Sequence, residues 1–233
     1  VPVPRGRFTG DQMIAIASLA ERFAAPGEAQ VRLSQKQNLL LVNIPRQNIK
    51  PLQDELAQIG LPAEAPLWRQ SLVSCTGTQF CNLAVVETKQ RAADILKYLE
   101  EQVDLDSPIM VSVTGCPNSC AQYQIADVGL TGIPVIYEGK KQDGYNLLVG
   151  GAMGENPEFG QEIVEKVPAV LVHEVIAALV RNYKANRLET PDGDVEPFRD
   201  FVARVEVAEL KKMAAIPNWS PPPPKVKRAP AKV

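Results

Sequence analysis

Four cysteines, all held in two tight pairs, constrain this chain more than any other feature. They form Cys75-Thr-Gly-Thr-Gln-Phe-Cys81 and Cys116-Pro-Asn-Ser-Cys120, with 34 residues between the pairs. Thiols so clustered are disulfides, metal ligands or redox groups. Disulfide frameworks belong to small secreted domains that cannot build a core. Here 233 residues, 45% of them hydrophobic, suffice for one large domain or two modest ones. The N-terminus VPVPRGRFTG also lacks the basic-then-apolar order of a secretory signal. A structural zinc site draws its thiolates from tight C-x2-C or C-x4-C knuckles, whereas a cubane [4Fe-4S] cluster takes four thiolates from loops that open around a larger object. The C-x5-C and C-x3-C spacings suit the cluster better, and zinc stays open as the alternative. His173, the only histidine, lies among Val172, Val175 and Ile176 and reads as a packed residue rather than a ligand.

The residues around the cysteines point the same way. Thr76-Gly77 and Gly115 let the backbone turn closely past a cluster, and amides in such turns can donate to sulfide. Pro117 fixes φ and keeps its pair out of a regular helix. Each of these is equally a simple turn, and only the combination is specific.

Along the chain, Thr9-Gly-Asp-Gln12 is a capping box and predicts a helix over about 10–24. Gln30 to Ser34 and Asn38 to Ile44 read as two strands, the second carrying the Leu39-Leu-Leu-Val42 run of a buried strand. A second helix follows through Ile49, Leu52, Leu56 and Ile59, stopped by Gly60. Residues 61–66 are a linker by composition. Beyond them the pattern predicts a helix over about 83–102, a strand over 109–114, and short strands over 125–130, 133–137 and 145–149. An apolar helix opens at Pro168, and a weaker one covers about 197–214. The expected fold class is α+β, with units 1–62, 68–190, a helical segment 191–216 and a Pro-rich basic tail 217–233.

No apolar run approaches the roughly 18 residues needed to span a bilayer, so membrane insertion is not expected. The tail holds Lys225, Lys227, Arg228 and Lys232 and no acid, which leaves 21 basic against 27 acidic residues, net −6, on the body. Such a body does not suit non-specific nucleic-acid binding. The setting reads as cytoplasmic, or plastid-stromal if a leader precedes Val1.

At Ser74-Cys-Thr-Gly-Thr-Gln-Phe-Cys81, Glu87-Thr-Lys89, Thr114-Gly-Cys-Pro-Asn-Ser-Cys120-Ala-Gln122, Val149-Gly-Gly151 and Ser34-Gln-Lys-Gln-Asn-Leu39, the sequence resembles the sirohaem-dependent nitrite and sulfite reductases, over about residues 5–185. The resemblance implies a ferredoxin-like half-repeat followed by a mixed α/β domain that binds sirohaem and a [4Fe-4S] cluster. Cys75, Cys81, Cys116 and Cys120 match the cluster ligands, and Cys120 matches the thiolate that also bridges to the sirohaem iron. Gln37 and Asn118 match sirohaem contacts; read on their own, Gln37 is a strand-edge polar residue and Asn118 a turn former. Gly150 and Gly151 either let backbone approach the macrocycle or form a strand-end turn. The fillings T-G-x-Q-F and P-N-S resemble ferredoxin-dependent nitrite reductase, whereas the sulfite enzymes tend to have Gly where Ser119 stands.

The implied activity is assimilatory six-electron reduction of nitrite to ammonium with electrons from ferredoxin. A ferredoxin-dependent sulfite reductase and a non-catalytic electron-transfer module are the alternatives. Family enzymes consist of two related halves, and the Arg and Lys residues that handle the oxyanion come mainly from the preceding one. The expectation is therefore a C-terminal half, no identifiable catalytic residue within it, and the N-terminal half as a partner. Arg69, Lys89, Arg91 and Lys97 flank the first cysteine pair and are candidates for docking an acidic ferredoxin.

Overall fold

The computed structural model describes residues 1–154, 156–189 and 194–222. The first unit is built as its sequence predicts. Helix α1 (Gly10–Phe23) starts on a reciprocal capping box, with Gln12 N donating to Thr9 Oγ1 at 3.2 Å and Thr9 N to Gln12 Oε1 at 2.9 Å. Strands β1 (Gln30–Leu33) and β2 (Leu39–Val42) pair antiparallel with Leu33 opposite Leu39. Helix α2 (Ile49–Gln58) follows a 3-10 turn and ends at Gly60, whose φ of +76° only glycine adopts freely. Ile16 and Leu19 of α1, Leu39 of β2, and Leu52 and Leu56 of α2 fill the two small cores of this unit. The expectation that β2 is a buried strand is corrected. Only Leu39 is buried, Leu40 is 52% exposed, and β1 is exposed throughout, because a two-stranded sheet has too little cover to bury a run of four apolar residues.

The second unit surrounds one five-stranded sheet ordered β3-β4-β5-β6-β7. Helix α3 (Leu67–Ser71) leads into β3 (Leu72–Ser74), which pairs parallel with β4 (Val111–Thr114); β4 in turn pairs parallel with β5 (Val128–Tyr137). Strands β6 (Lys140–Val149) and β7 (Gln161–Pro168) continue antiparallel. Helices α4 (Lys89–Gln102), α5 (Val172–Asn186), α6 (Phe198–Arg204) and α7 (Val207–Met213) pack with the sheet into one large core containing Ile95, Val113, Tyr145, Ile176, Phe201 and Leu210. Trp68 anchors the entry to this unit, its indole N–H donating to Val103 O at 2.7 Å.

Several boundaries differ from expectation, each for a visible reason. Helix α4 begins at Lys89 rather than near 83, because the preceding residues are drawn into a loop by side-chain and backbone bonds. Val85 N donates to Gly115 O at 2.9 Å, Glu87 N to Asp143 Oδ2 at 2.9 Å and Thr88 Oγ1 to Cys75 O at 2.7 Å. The short strands expected over 125–149 are one hairpin of two ten-residue strands, turned at Glu138-Gly139 with φ of +50° and +73°; positive φ at both central residues is the hairpin-compatible geometry. Pro134 sits in register opposite Asp143 and does not interrupt it. Pro168 closes β7 instead of opening a helix, and Leu171 N turns back to Pro168 O before α5 starts at Val172. The helix expected over 197–214 is two, separated by extended backbone at Val205 and Glu206. Strands β3 and β7 and helix α3 were not anticipated.

Of the Pro-rich tail, residues to 222 are described, with a bridge between Ile216 and Trp219. Lys225, Lys227, Arg228 and Lys232 lie outside the described residues, as do 191–193 of the segment expected to be helical.

Candidate functional site

Parallel pairing of β3 and β4 brings the two cysteine pairs together. Ser74 is in register with Val113, so Cys75 and Cys116 leave the sheet from adjacent strand ends. Cys75 N donates to Val113 O at 3.0 Å, and Gly115 N donates to Cys75 Sγ at 3.1 Å. An amide aimed at a sulfur fixes that sulfur's orientation. Gly77 has φ of +68°, and a Cβ there would meet Thr88 Oγ1 at 2.4 Å. The same Thr88 hydroxyl donates to Cys75 O, so glycine is required for the turn to close against α4. Cys81 N donates back to Gly77 O at 3.0 Å.

Cys75 and Cys81 are half-buried, Cys116 is buried, Cys120 is exposed, and all four are free thiols. The disulfide reading therefore does not hold. Nor do three His, Cys, Asp or Glu side chains converge on a single point among the described residues. Two thiol pairs on adjacent strand-end loops are the kind of donor set a four-iron cluster takes.

After Cys116 the chain runs through an exposed turn at Pro117 and Asn118 and reverses with Ser119 and Gln122 at φ of +58° and +57°. Ser112 Oγ donates to Ala121 O and Ser119 Oγ meets Gln124 Oε1, which ties the reversal to the sheet. Cys120 thereby lines a cavity of about 170 Å³ together with Gln37. Gln37 is also in left-handed backbone, φ +59°. Its side chain forms a reciprocal pair with the Ser74 backbone, Nε2 to O at 2.8 Å and N to Oε1 at 3.4 Å. It is thus a bridge between the two units rather than a loose strand-edge residue.

A larger cavity of about 440 Å³ shares Gln35, Met110 and Gln122 with the first and adds Lys36, Asp127 and Arg199. Burial pushes the Asp127 carboxyl up from its ordinary range, while it accepts from Met110 N at 2.7 Å. Lys36 and Arg199 give this trough two cations, and sequence reasoning singled out neither. The available signal for Lys36 was its place beside Gln37; Arg199 carries no local signal. Asn118 lines neither cavity. Added Cβ atoms on Gly150 and Gly151 would meet Val202 Cγ1 at 2.8 Å and Gln124 O at 2.5 Å, and Gly151 also lines the larger cavity.

Three of the four basic residues offered as a docking cluster are engaged elsewhere. Lys89 is buried; its Nζ donates to Arg5 O at 2.5 Å, Ser74 O at 2.9 Å and Gln37 Oε1 at 3.4 Å. Arg69 pairs with Glu100 at 2.8 Å and Arg91 with Asp94 at 3.4 Å, which leaves Lys97 exposed. Burial, followed by the nearby Arg7 and Arg5 charges, pushes the Lys89 ammonium down to about 8. His173 is packed 4.3 Å from the Tyr98 ring, and desolvation holds its pKa below the usual value. Among the described residues no helix is long and apolar enough to cross a membrane.

Comparison with known families places both units. Residues 1–59 match the nitrite/sulfite reductase ferredoxin-like half domain, and residues 69–219 match the nitrite and sulphite reductase 4Fe-4S domain. A ferredoxin–nitrite reductase of Synechococcus elongatus is 39% identical over 179 residues, 76% of this chain and 34% of that protein. A ferredoxin sulfite reductase of Mycolicibacterium paratuberculosis is 32% identical over 213 residues, 88% of this chain and 37% of that protein. The solved structure of Mycobacterium tuberculosis NirA protein superposes with a TM-score of 0.81 at 33% identity, covering 90% of this chain and 38% of the other. The chain thus spans about a third of the length of the curated relatives it matches. Dissimilatory sulfite reductase I, at 12% identity and a TM-score of 0.69, shares the fold.

Proposed function

We propose, since the chain belongs to the nitrite and sulphite reductase family, that Cys75, Cys81, Cys116 and Cys120 hold a [4Fe-4S] cluster beside a sirohaem, and that the complete enzyme reduces nitrite to ammonium with electrons from ferredoxin. The observation that carries this reading is the trough in which Cys120 and Gln37 share one end and Lys36 and Arg199 line the continuation. A planar polycarboxylate needs such a site: a thiolate for its metal, amides at its rim and cations for its carboxylates. The chemistry supplied by the bound pair is one-electron transfer, repeated six times, to an oxyanion.

The chain's own residues have separable tasks. Gly115 N–H donates to the Cys75 sulfur and orients it. Gln37 locks the first unit against Ser74, and so fixes the wall opposite Cys120. Lys36 and Arg199 compensate carboxylate charge at the trough; Asn118 lies outside both cavities on the exposed turn, and a cofactor contact for it rests on the resemblance alone. Turnover is assigned to the assembly that includes the second related half, which supplies Arg and Lys residues to the oxyanion.

A second reading, sulfite reduction, is supported by the greater share of this chain that the sulfite reductases match, 88% against 76%. Nitrite is preferred for the higher identity, 39% against 32%, and for the T-G-T-Q-F filling of the first pair. The test is turnover of the full assembly, reconstituted anaerobically with sirohaem and reduced ferredoxin, on each oxyanion. Faster ammonium production from nitrite than sulfide production from sulfite is expected; the reverse order would overturn the substrate assignment.

A further inference from the structure

The first unit meets the second through a buried lysine. Lys89 is the first residue of α4 and lies 7% exposed, with its Nζ against three oxygens from three segments. Arg5 O belongs to the N-terminal turn, Gln37 Oε1 to the β1–β2 connection, and Ser74 O to the end of β3, one residue before Cys75. Arg5 Nη1 returns a bond to Lys89 O at 3.5 Å. All three Nζ partners are uncharged, and no ion pair among the described residues includes Lys89.

Burying an ammonium without a carboxylate is costly. Interdomain adhesion alone does not require it, because Gln37 and Ser74 already bond to each other without the lysine. What a full charge adds is a field. Two groups of opposite sign act on Lys89 in the charge-favouring direction, the Cys75 sulfur and, more weakly, the Glu87 carboxylate, and of these only Cys75 belongs to the ligand set. Arg5 and Arg7 are also close and act in the opposite direction, as like charges do. Arg7 is spent on Gln79 at 2.6 Å and on the Phe80 ring at 5.5 Å. Lys89 is therefore the most deeply buried cation behind Cys75, while Arg5 and Arg7 are only half-buried.

We propose that Lys89 is a positioning residue that holds Gln37 and the Ser74-Cys75 backbone in place and, through its charge, raises the reduction potential of a cluster bound at Cys75. The inference rests on the cluster reading above. One-electron reduction adds a negative charge to a site already bearing four thiolates, and a buried cation at short range favours that product.

The test is the midpoint potential, by redox titration followed by electron paramagnetic resonance, of the full chain reconstituted with iron and sulfide, as wild type and as Lys89→Met, Lys89→Gln and Lys89→Arg. Both neutral variants are expected to titrate at more negative potential than wild type, and Lys89→Arg to recover most of the shift. Lys89→Gln keeps polar contacts and serves where Lys89→Met does not fold. Equal midpoints in wild type and a folded neutral variant would overturn the tuning role while leaving the cluster assignment standing. Loss of the fold in both neutral variants, with Lys89→Arg folded, would overturn it in favour of a purely structural strap. Absence of any cluster signal in wild type would overturn both readings.

Discussion

Strands β2 and β4 make an instructive pair. By composition Leu39-Leu-Leu-Val42 is the more apolar, yet only Leu39 is buried, while Val111-Ser-Val-Thr114 is buried at all four positions. The difference lies in cover. β4 sits between β3 and β5 inside a five-stranded sheet packed with helices, whereas β2 has one neighbouring strand and two helices. Burial is thus decided by how many layers an element can recruit, and not by its own hydrophobicity. The consequence for the site is a division of labour. The well-covered unit fixes the cysteines at strand ends, and the thinly covered unit contributes Gln37 and Lys36 across the seam.

On that contrast, matched truncations separate the two units. Leu99 on α4 is fully buried in the large core, and Leu99→Ala is expected to cost about 2–5 kcal/mol. Leu40→Ala, at a position 52% exposed, should stay within about 0.5 kcal/mol. Denaturant unfolding of the two variants compares them directly, and equal losses would break the comparison.

A smaller effect sharpens it at the periphery of the large unit, where Asp106 takes a two-pronged pair from Arg187 at 2.7 and 2.6 Å. That guanidinium holds the Asp106 carboxyl down to about 2, against an ordinary 3.8. A depressed carboxylate stabilises the fold above its unfolded pKa and loses that contribution as pH falls through the folded value. Asp106→Asn should therefore lower the melting temperature slightly at neutral pH and by less as pH falls from about 4 to 2. A difference from wild type that stays constant across that range would contradict the pairing.

Much of the fold was legible because local chemistry and tertiary structure agree. The Thr9–Gln12 capping box, the β1–β2 hairpin and the Gly60 stop are formed by neighbours in sequence. The failures share a cause. Three-residue β3 is too short to show a period, and its pairing with β4 is non-local. Val86 looked helical, but hydrogen bonds from Val85, Glu87 and Thr88 to Gly115, Asp143 and Cys75 hold that stretch as a loop. Thr131 and Gly132 fall between two expected strands, yet the hairpin continues through them in register.

At the site, the cysteines and Gln37 were visible as motifs, whereas Arg199 joins Lys36 only through tertiary packing. Lys89 is visible in the sequence as a charge near the first cysteine pair, where it reads as a docking candidate. Only the structure shows three oxygens closed around it.

The central claim is that four free thiols on two strand-end loops form one iron–sulfur site. Metal and acid-labile sulfide analysis of the full chain, isolated or reconstituted without oxygen, tests it most directly. The account predicts about four irons and about four sulfides per chain, a brown chromophore, and loss of both metals and colour on Cys75→Ser or Cys116→Ser in a chain that still folds. A colourless protein holding one zinc per chain, or an iron content indifferent to those substitutions, would contradict it.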